Sequence, residues 1–265
     1  MQPKPKLINL IACAVITLAS PVHAKTPLTE PQIASLLTAP DRPTDDAKRD
    51  DSRQPQKIIA FTGVGKGQHV LDFFAGGGWY SELFSNAVGP EGKVYVQNDE
   101  VIWRFAEKGL NERAKDDRLT NIMRFDNMPI VDIRIPDDSL DLVFTALNYH
   151  DLFFTHSMQD GKKVALRDDV VDYQAALSTI KKAMKADATF IIIDHAAQAG
   201  SGYEAANTLH RIDPNIVKFH MNQAGFTLIE EAFYLRNPAD DLSKLVFDPA
   251  VRGKTDRFIY KFVKQ

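Results

Sequence analysis

Three short strings of this chain carry side chains that move protons: Asn148-Tyr149-His150-Asp151, Asp194-His195 and His210-Arg211. A free imidazole titrates near neutral pH, and a neighbouring carboxylate can orient its ring. His150 with Asp151 is therefore the best general-base candidate. A fourth string is of a different kind. Asp72-Phe73-Phe74-Ala75-Gly76-Gly77-Gly78 leads from a short apolar run through an acid into three glycines, and an amphipathic segment follows over residues 80–88. That order reads as strand, tight turn and helix. Glycine admits positive φ and close approach of a ligand to the backbone. The first N–H groups of the helix then face whatever sits in the turn.

For these strings to meet, strand and helix must alternate. Strands are expected from Val70 and over residues 94–98, 121–125, 140–147 and 189–193. Helices are expected over residues 55–62, 80–88, 102–112, 170–184 and 215–224. Pro55 suits the start of the first helix, and Gly225 stops the last. Residues 189–193 are almost wholly apolar, as in the buried middle of a parallel sheet. Two further strands, residues 226–235 and 257–263, close the chain with no clear helix between them. Residues 55–265 contain no repeat and no linker, so one domain is expected. The predicted fold is α/β: a Rossmann-like, doubly wound, mostly parallel seven-stranded sheet with a terminal antiparallel strand pair. Its ligand belongs at the carboxyl ends of the strands.

The 265 residues are 44% hydrophobic and 25% charged, with a formal net charge of −3, which argues against non-specific nucleic-acid binding. Lys4 and Lys6 precede a largely apolar run over residues 7–19, too short to span a bilayer comfortably, and Val22-His23-Ala24 is a small-x-small cleavage site. Residues 1–24 are therefore read as a secretory signal peptide. That implies a periplasmic or secreted protein with no stable membrane insertion after cleavage. A lipoprotein box at Leu10-Ile11-Ala12-Cys13 is the alternative. Cleavage removes the only cysteine, Cys13. Residues 25–54 form an N-terminal arm, either a mobile lead or a short packed helix. Gly63-Val64-Gly65-Lys66-Gly67 lacks the phosphate-loop spacing and reads as a turn into the first strand. His150, Asp194, His195 and His210 could gather a metal, but their spacing follows no fixed ligand pattern and no metal is assigned. His69, His156 and His220 are read as surface or packing residues. Trp79 suits a ligand stack and core packing equally well. The sequence leaves the oligomeric state open.

The glycine string resembles the Asp/Glu-x-Gly-x-Gly-x-Gly signature of class I S-adenosylmethionine-dependent methyltransferases. A closer resemblance, over roughly residues 40–265, is to a group of exported bacterial predicted methyltransferases. It is carried by Asp41-Arg42-Pro43, the glycine turn with Tyr80, Asn148-Tyr149-His150-Asp151, Asp194-His195 and Leu209-His210-Arg211-Ile212-Asp213. The resemblance implies S-adenosylmethionine as cofactor and a small-molecule or envelope acceptor. It implies that Asp72, Phe74, Ala75, Gly76 and Gly78 take the amino-acid end of the cofactor. Asn98 and Asp99 would take the ribose, and Asp126 and Asn127 the adenine amino group. His150, Asp151 and His195 would be catalytic, with Tyr149, His210 and Arg211 contacting substrate.

Two residues depart from the pattern. Phe74 stands where the first glycine is usual, which is expected to require a negative φ. Asn98 stands where an acid normally ends the second strand, and an amide lacks the paired charge-assisted acceptors of a carboxylate. Asp99 follows and also suits a helix N-cap. These departures, together with export, favour the alternative of a methyltransferase-fold protein that binds another ligand without methyl transfer. A nicotinamide site would need a third glycine where Ser81 stands.

Overall fold

The computed structural model describes residues 26–265. The signal-peptide reading of residues 1–24, with its cleavage site and Cys13, falls outside them. The described residues open with four short helices: α1 (Glu30–Leu37), α2 (Thr44–Ala47), α3 (Asp50–Arg53) and α4 (Pro55–Thr62). Strand and helix then alternate through β1 (His69–Phe73), α5 (Trp79–Val88), β2 (Lys93–Gln97), α6 (Glu100–Arg113), β3 (Ile122–Phe125) and β4 (Leu140–Ala146). A two-stranded insert, β5 (His156–Gln159) and β6 (Lys162–Ala165), precedes α7 (Tyr173–Ala183) and the long strand β7 (Met184–His195). Helices α8 (Glu204–Leu209) and α9 (Pro214–Gln223) and strands β8 (Phe226–Ala232) and β9 (Arg257–Lys264) complete the chain.

The main sheet has seven strands in the order β3-β2-β1-β4-β7-β9-β8. β1 pairs in parallel with both β2 and β4, and β4 pairs in parallel with β7. Only β9 runs the other way, antiparallel to β7 and to β8. The expected doubly wound sheet with its closing antiparallel pair is therefore present. Ile191 and Ile192 of β7 are fully buried between neighbours on both sides, which is why that stretch shows no polar alternation. The β5–β6 hairpin lies where no strand is expected. Its signal is local: Asp160 and Gly161 both take positive φ, at 49° and 74°, which is the two-residue turn that Asp-Gly favours.

The N-terminal arm is packed onto α5. The Asp46 carboxylate is buried against Arg113, and the Trp79 indole N–H donates to the Asp46 carbonyl at 3.2 Å. The Arg53 guanidinium lies 4.6 Å from the centre of the Trp79 ring. Of the two readings of Trp79, packing is the one realised: its ring clamps the arm. Ile33 of α1 joins the same core, 1% exposed.

Candidate active site

The carboxyl ends of β1, β2, β4 and β7 converge on one rim. After β1 the chain turns sharply at Phe74, whose φ is 52°. The expectation of a negative φ at this position is wrong. A left-handed residue with a side chain costs roughly 1–2 kcal/mol. Phe74 is 1% exposed and its ring stacks on Phe73 with centroids 4.4 Å apart. Burying such a ring contributes about 1.5–3 kcal/mol, enough to offset the strain. Three amide side chains then brace the turn. Gln97 Oε1 accepts from Phe74 N at 3.4 Å, and Asn148 Nδ2 donates to Phe74 O at 2.5 Å. Asn98 Oδ1 accepts from Gly76 N at 2.8 Å while its Nδ2 donates to Gly76 O at 3.2 Å. Ala75 N donates to the Gln97 carbonyl, tying the turn to β2 a second time. Gly76 and Gly78 take φ of 56° and 79°. A Cβ on Gly78 would lie 2.7 Å from Leu110 Cδ2, and one on Gly109 would lie 3.0 Å from Gly77 Cα, so small residues on both sides let the turn pack closely on α6.

These contacts change the part played by two residues expected to hold the cofactor. Asn98 is fully buried, and its amide oxygen and nitrogen each bond Gly76; it braces the turn. Asp72 is 2% exposed beneath the turn and accepts from Ser81 Oγ at 2.6 Å. Burial pushes its carboxyl up to about 7, against the Ser81 hydrogen bond. It holds the start of α5 from the interior side.

A pocket of about 290 Å³ opens beside the turn, lined by Phe74, Asp99, Ile130, Val131, Arg167 and Val171 among others. Asp99 caps α6, accepting from Val101 N and Ile102 N, each at 3.0 Å. Its other oxygen meets Arg167 Nη1 at 2.9 Å. Arg167 Nε and Nη2 are buried and meet no acceptor among the described residues. Asp126 lies outside this lining, paired with Arg124 Nη2 at 2.7 Å, and Asn127 is an exposed turn residue with φ 52°. The pocket wall expected from them is built by the next residues, Pro129 to Val131.

On the β4–β7 side the chain turns again through a left-handed residue, Leu147 at φ 65°, and enters a short 3-10 helix, Tyr149–Phe153. This turn brings His150 over the end of β7. Asp194 is fully buried and accepts from His150 N at 2.8 Å, from His150 Nδ1 at 2.9 Å and from His195 N at 2.7 Å. His150 Nε2 then faces His210 Nδ1 at 3.3 Å and Asp151 Oδ1 at 3.5 Å. Burial alone would lower the His150 pKa. The Asp194 and Asp151 charges outweigh it and carry the ring up to about 9. The expected base near neutrality is therefore a ring that holds its proton at neutral pH. Burial raises Asp151 to about 6, and burial followed by the His150 charge lowers His210 to about 3.

The structure thus brings together His150, Asp151 and His210, and leaves three other candidates apart. His195 points away: its Nδ1 lies 2.6 Å from Thr255 Oγ1, and its ring centre is 6.2 Å from that of His150. Tyr149 is fully buried with its hydroxyl 3.3 Å from His220 Nδ1, so it packs the interior. His220 is packed as expected, stacked on Tyr173 at 3.9 Å. Arg211 is fully buried, with Nη1 2.8 Å from Asp240 Oδ2 and bonds to the Ala196 and Lys244 carbonyls. It ties the loop after β8 to the rim and has no surface for a substrate. Two residues gain a role here that the sequence reading does not give them. Asp194 has a visible signal, an acid ending the apolar run Ile191-Ile192-Ile193. Arg167 has none, because it reaches the pocket only through the inserted hairpin.

The strand order and the glycine turn at the end of β1 define the class I methyltransferase fold. Solved structures agree. A SAM-dependent methyltransferase from Aquifex aeolicus superposes with a TM-score of 0.55 at 20% identity, covering 90% of this chain and 100% of that one. Geranyl diphosphate C-methyltransferase from Streptomyces coelicolor A3(2), solved with Mg2+, geranyl diphosphate and S-adenosyl-L-homocysteine, gives 0.54 at 10% identity over 91% of each chain. An arsenic(III) S-adenosylmethionine methyltransferase from Chlamydomonas reinhardtii gives 0.50 at 15% identity, covering 89% of this chain and 73% of that one. The likeness is one of fold. No protein-family model and no curated protein sequence matches the chain.

Proposed function

We propose that the protein transfers a methyl group from S-adenosylmethionine to a small-molecule or envelope acceptor held at the rim of His150, Asp151 and His210. The supporting observation is the pocket beside the glycine turn and the chemistry of its walls. Adenosine needs an apolar slot, which Ile130 and Val131 supply together with the Phe74 ring. Its polar groups and the amino-acid end need acceptors and donors, which the Asp99 carboxylate and the unpaired Arg167 N–H groups supply. When bound, the cofactor supplies an electrophilic methyl group on a sulfonium. The chain's own residues hold the acceptor in line and keep water out. An acceptor proton would pass to the Asp151 carboxylate, which lies 3.5 Å from His150 Nε2.

One observation favours the second reading, a protein of this fold that binds another ligand without methyl transfer. The amide that replaces the usual strand-two acid bonds Gly76 through both its oxygen and its nitrogen, so in this reading the charged ribose acceptor falls to Asp99. Calorimetric titration with S-adenosylmethionine and S-adenosylhomocysteine separates the two. Micromolar binding of both supports methyl transfer; absence of heat for either refutes it and leaves the second reading.

We also infer export through residues 1–24, with an arm over residues 25–54 and the catalytic fold over residues 55–265. Among the described residues no helix is long and apolar enough to cross a membrane. An intact mass beginning at Lys25 in the exported fraction is the expected result. A full-length chain confined to the cytoplasm would refute it.

A further inference from the structure

The atoms that converge on His150 have a geometry that acid–base chemistry alone does not require. His150 Nε2, His210 Nδ1 and Asp151 Oδ1 form a triangle with edges of 3.3, 3.5 and 4.0 Å. The circumradius of that triangle is about 2.1 Å, the length of a bond from zinc to imidazole nitrogen or carboxylate oxygen. The triangle comes from two parts of the chain. The 3-10 helix after β4 supplies His150 and Asp151, and the end of α8 supplies His210. His210 sits at φ 51°, a left-handed position that ends the helix and turns its ring inward. The Phe154 and Phe247 rings flank it at 4.4 and 5.0 Å.

Behind the triangle stands the support that metal-binding imidazoles carry. Asp194 accepts from His150 Nδ1, so the lone pair of the neutral ring lies on Nε2, inside the triangle. The charge balance points the same way. Asp151 and Asp194 are both buried, and among the described residues their ion pairs are to histidines only. Without an ion a proton on His150 meets that charge, and two ring nitrogens 3.3 Å apart must share a proton or a metal ion, so a divalent ion can take the place of the proton.

We propose that His150 Nε2, His210 Nδ1 and an Asp151 oxygen bind a divalent first-row transition ion, with Asp194 orienting His150 from behind. Two nitrogens and one oxygen suit Zn2+, Co2+ or Fe2+ rather than Mg2+ or Ca2+. Three protein ligands leave a coordination position for water or a substrate oxygen, the pattern of catalytic rather than structural zinc sites. The inference stands on the triangle and its support, independently of the methyl-transfer reading.

The test uses the full-length protein, stripped with chelator and titrated with Co2+ and then Zn2+ in the absence of any cofactor. The expected result is one equivalent of Co2+ with visible d–d absorption, displaced by Zn2+. His210→Ala changes a partly exposed ring and is expected to keep the native circular dichroism while losing Co2+ affinity at least ~100-fold. Asp194→Asn, which touches no ion, is expected to weaken it about 10- to 100-fold. His69→Ala, at the opposite end of β1 from the rim, should bind as the parent does. Absence of Co2+ absorption in the parent protein would overturn the proposal. So would a folded His210→Ala protein that binds Co2+ as tightly as the parent.

Discussion

Replacing Asn98 by aspartate restores the acid that class I methyltransferases usually carry at the end of the second strand, and here it should do harm. Asn98 accepts from Gly76 N and donates to Gly76 O at 3.2 Å. Only one orientation of the amide satisfies both. An aspartate keeps the acceptor, loses the donor and sets two oxygens against each other at a fully buried position. The lost hydrogen bond costs about 1 kcal/mol, and the unsatisfied carbonyl and buried charge add roughly 1–3 kcal/mol. If half of that falls on the geometry of the turn, affinity for S-adenosylhomocysteine drops about 10-fold, since 1.4 kcal/mol is a factor of ten. Asn98→Ala loses both bonds but adds no charge. In both affinity and denaturant midpoint the parent should therefore rank first and Asn98→Ala second, with Asn98→Asp no better than Asn98→Ala. Calorimetry and urea unfolding on the three proteins give that order. Had Asn98 met the ribose, Asn98→Asp would bind best and Asn98→Ala worst. An Asn98→Asp protein that binds more tightly than the parent refutes the bracing role of this amide.

Three further outcomes follow from buried groups. Arg211→Met leaves Asp240 charged in a fully buried pair, so it should lose about 3–5 kcal/mol in urea unfolding; a loss below about 1 kcal/mol would contradict the structural role given to Arg211. The Asp72 carboxyl is held up to about 7 by burial, above its unfolded value. The folded state therefore binds a proton that the unfolded state has released, and the contribution of Asp72 to stability falls as pH rises from the unfolded pKa to the folded one. Asp72→Asn should gain stability over the parent by a few kcal/mol at about pH 8, and by much less at about pH 4; a pH-independent difference would contradict this. Trp79→Ala removes the clamp on Asp46 and Arg53. It should cost about 3–5 kcal/mol and speed tryptic cleavage at Lys48, Arg49 and Arg53; an unchanged digestion rate would show that the arm is held by other contacts.

The layers of the fold are legible because local rules and tertiary packing agree there. Pro55 starts α4, Gly225 stops the segment that holds α9, and the apolar run at residues 189–193 lies in the sheet's interior. The site is legible only as strings. Nothing within Asn148-Tyr149-His150-Asp151 says that Tyr149 turns into the core while His150 and Asp151 turn to the rim. That choice is made by Leu147 at φ 65° and by the 3-10 turn after it. Likewise His210 and Arg211 are neighbours with opposite destinies. The left-handed backbone at His210 aims its ring at His150, and Arg211 is drawn inside by Asp240, 29 residues further along. A pattern of residue types cannot distinguish adjacent side chains whose partners are distant in sequence.

Asp194 shows why such failures gather at one place. A carboxylate at the end of the most apolar strand costs several kcal/mol to bury without compensation. Among the described residues its donors are the His150 backbone, the His150 ring and the His195 backbone. A leucine or isoleucine there would pack better against its β9 neighbour Phe258 and would simplify the sheet. The acid instead fixes one imidazole in one orientation at the rim, above a turn strained at Phe74 and beside a second strained at Leu147. Three departures from what local stability favours, on three adjacent strands, share one consequence: His150 Nε2 is held still, facing His210 and Asp151. Strain and buried charge that converge on a single atom are the physical ground for the proposal that places the acceptor at this rim.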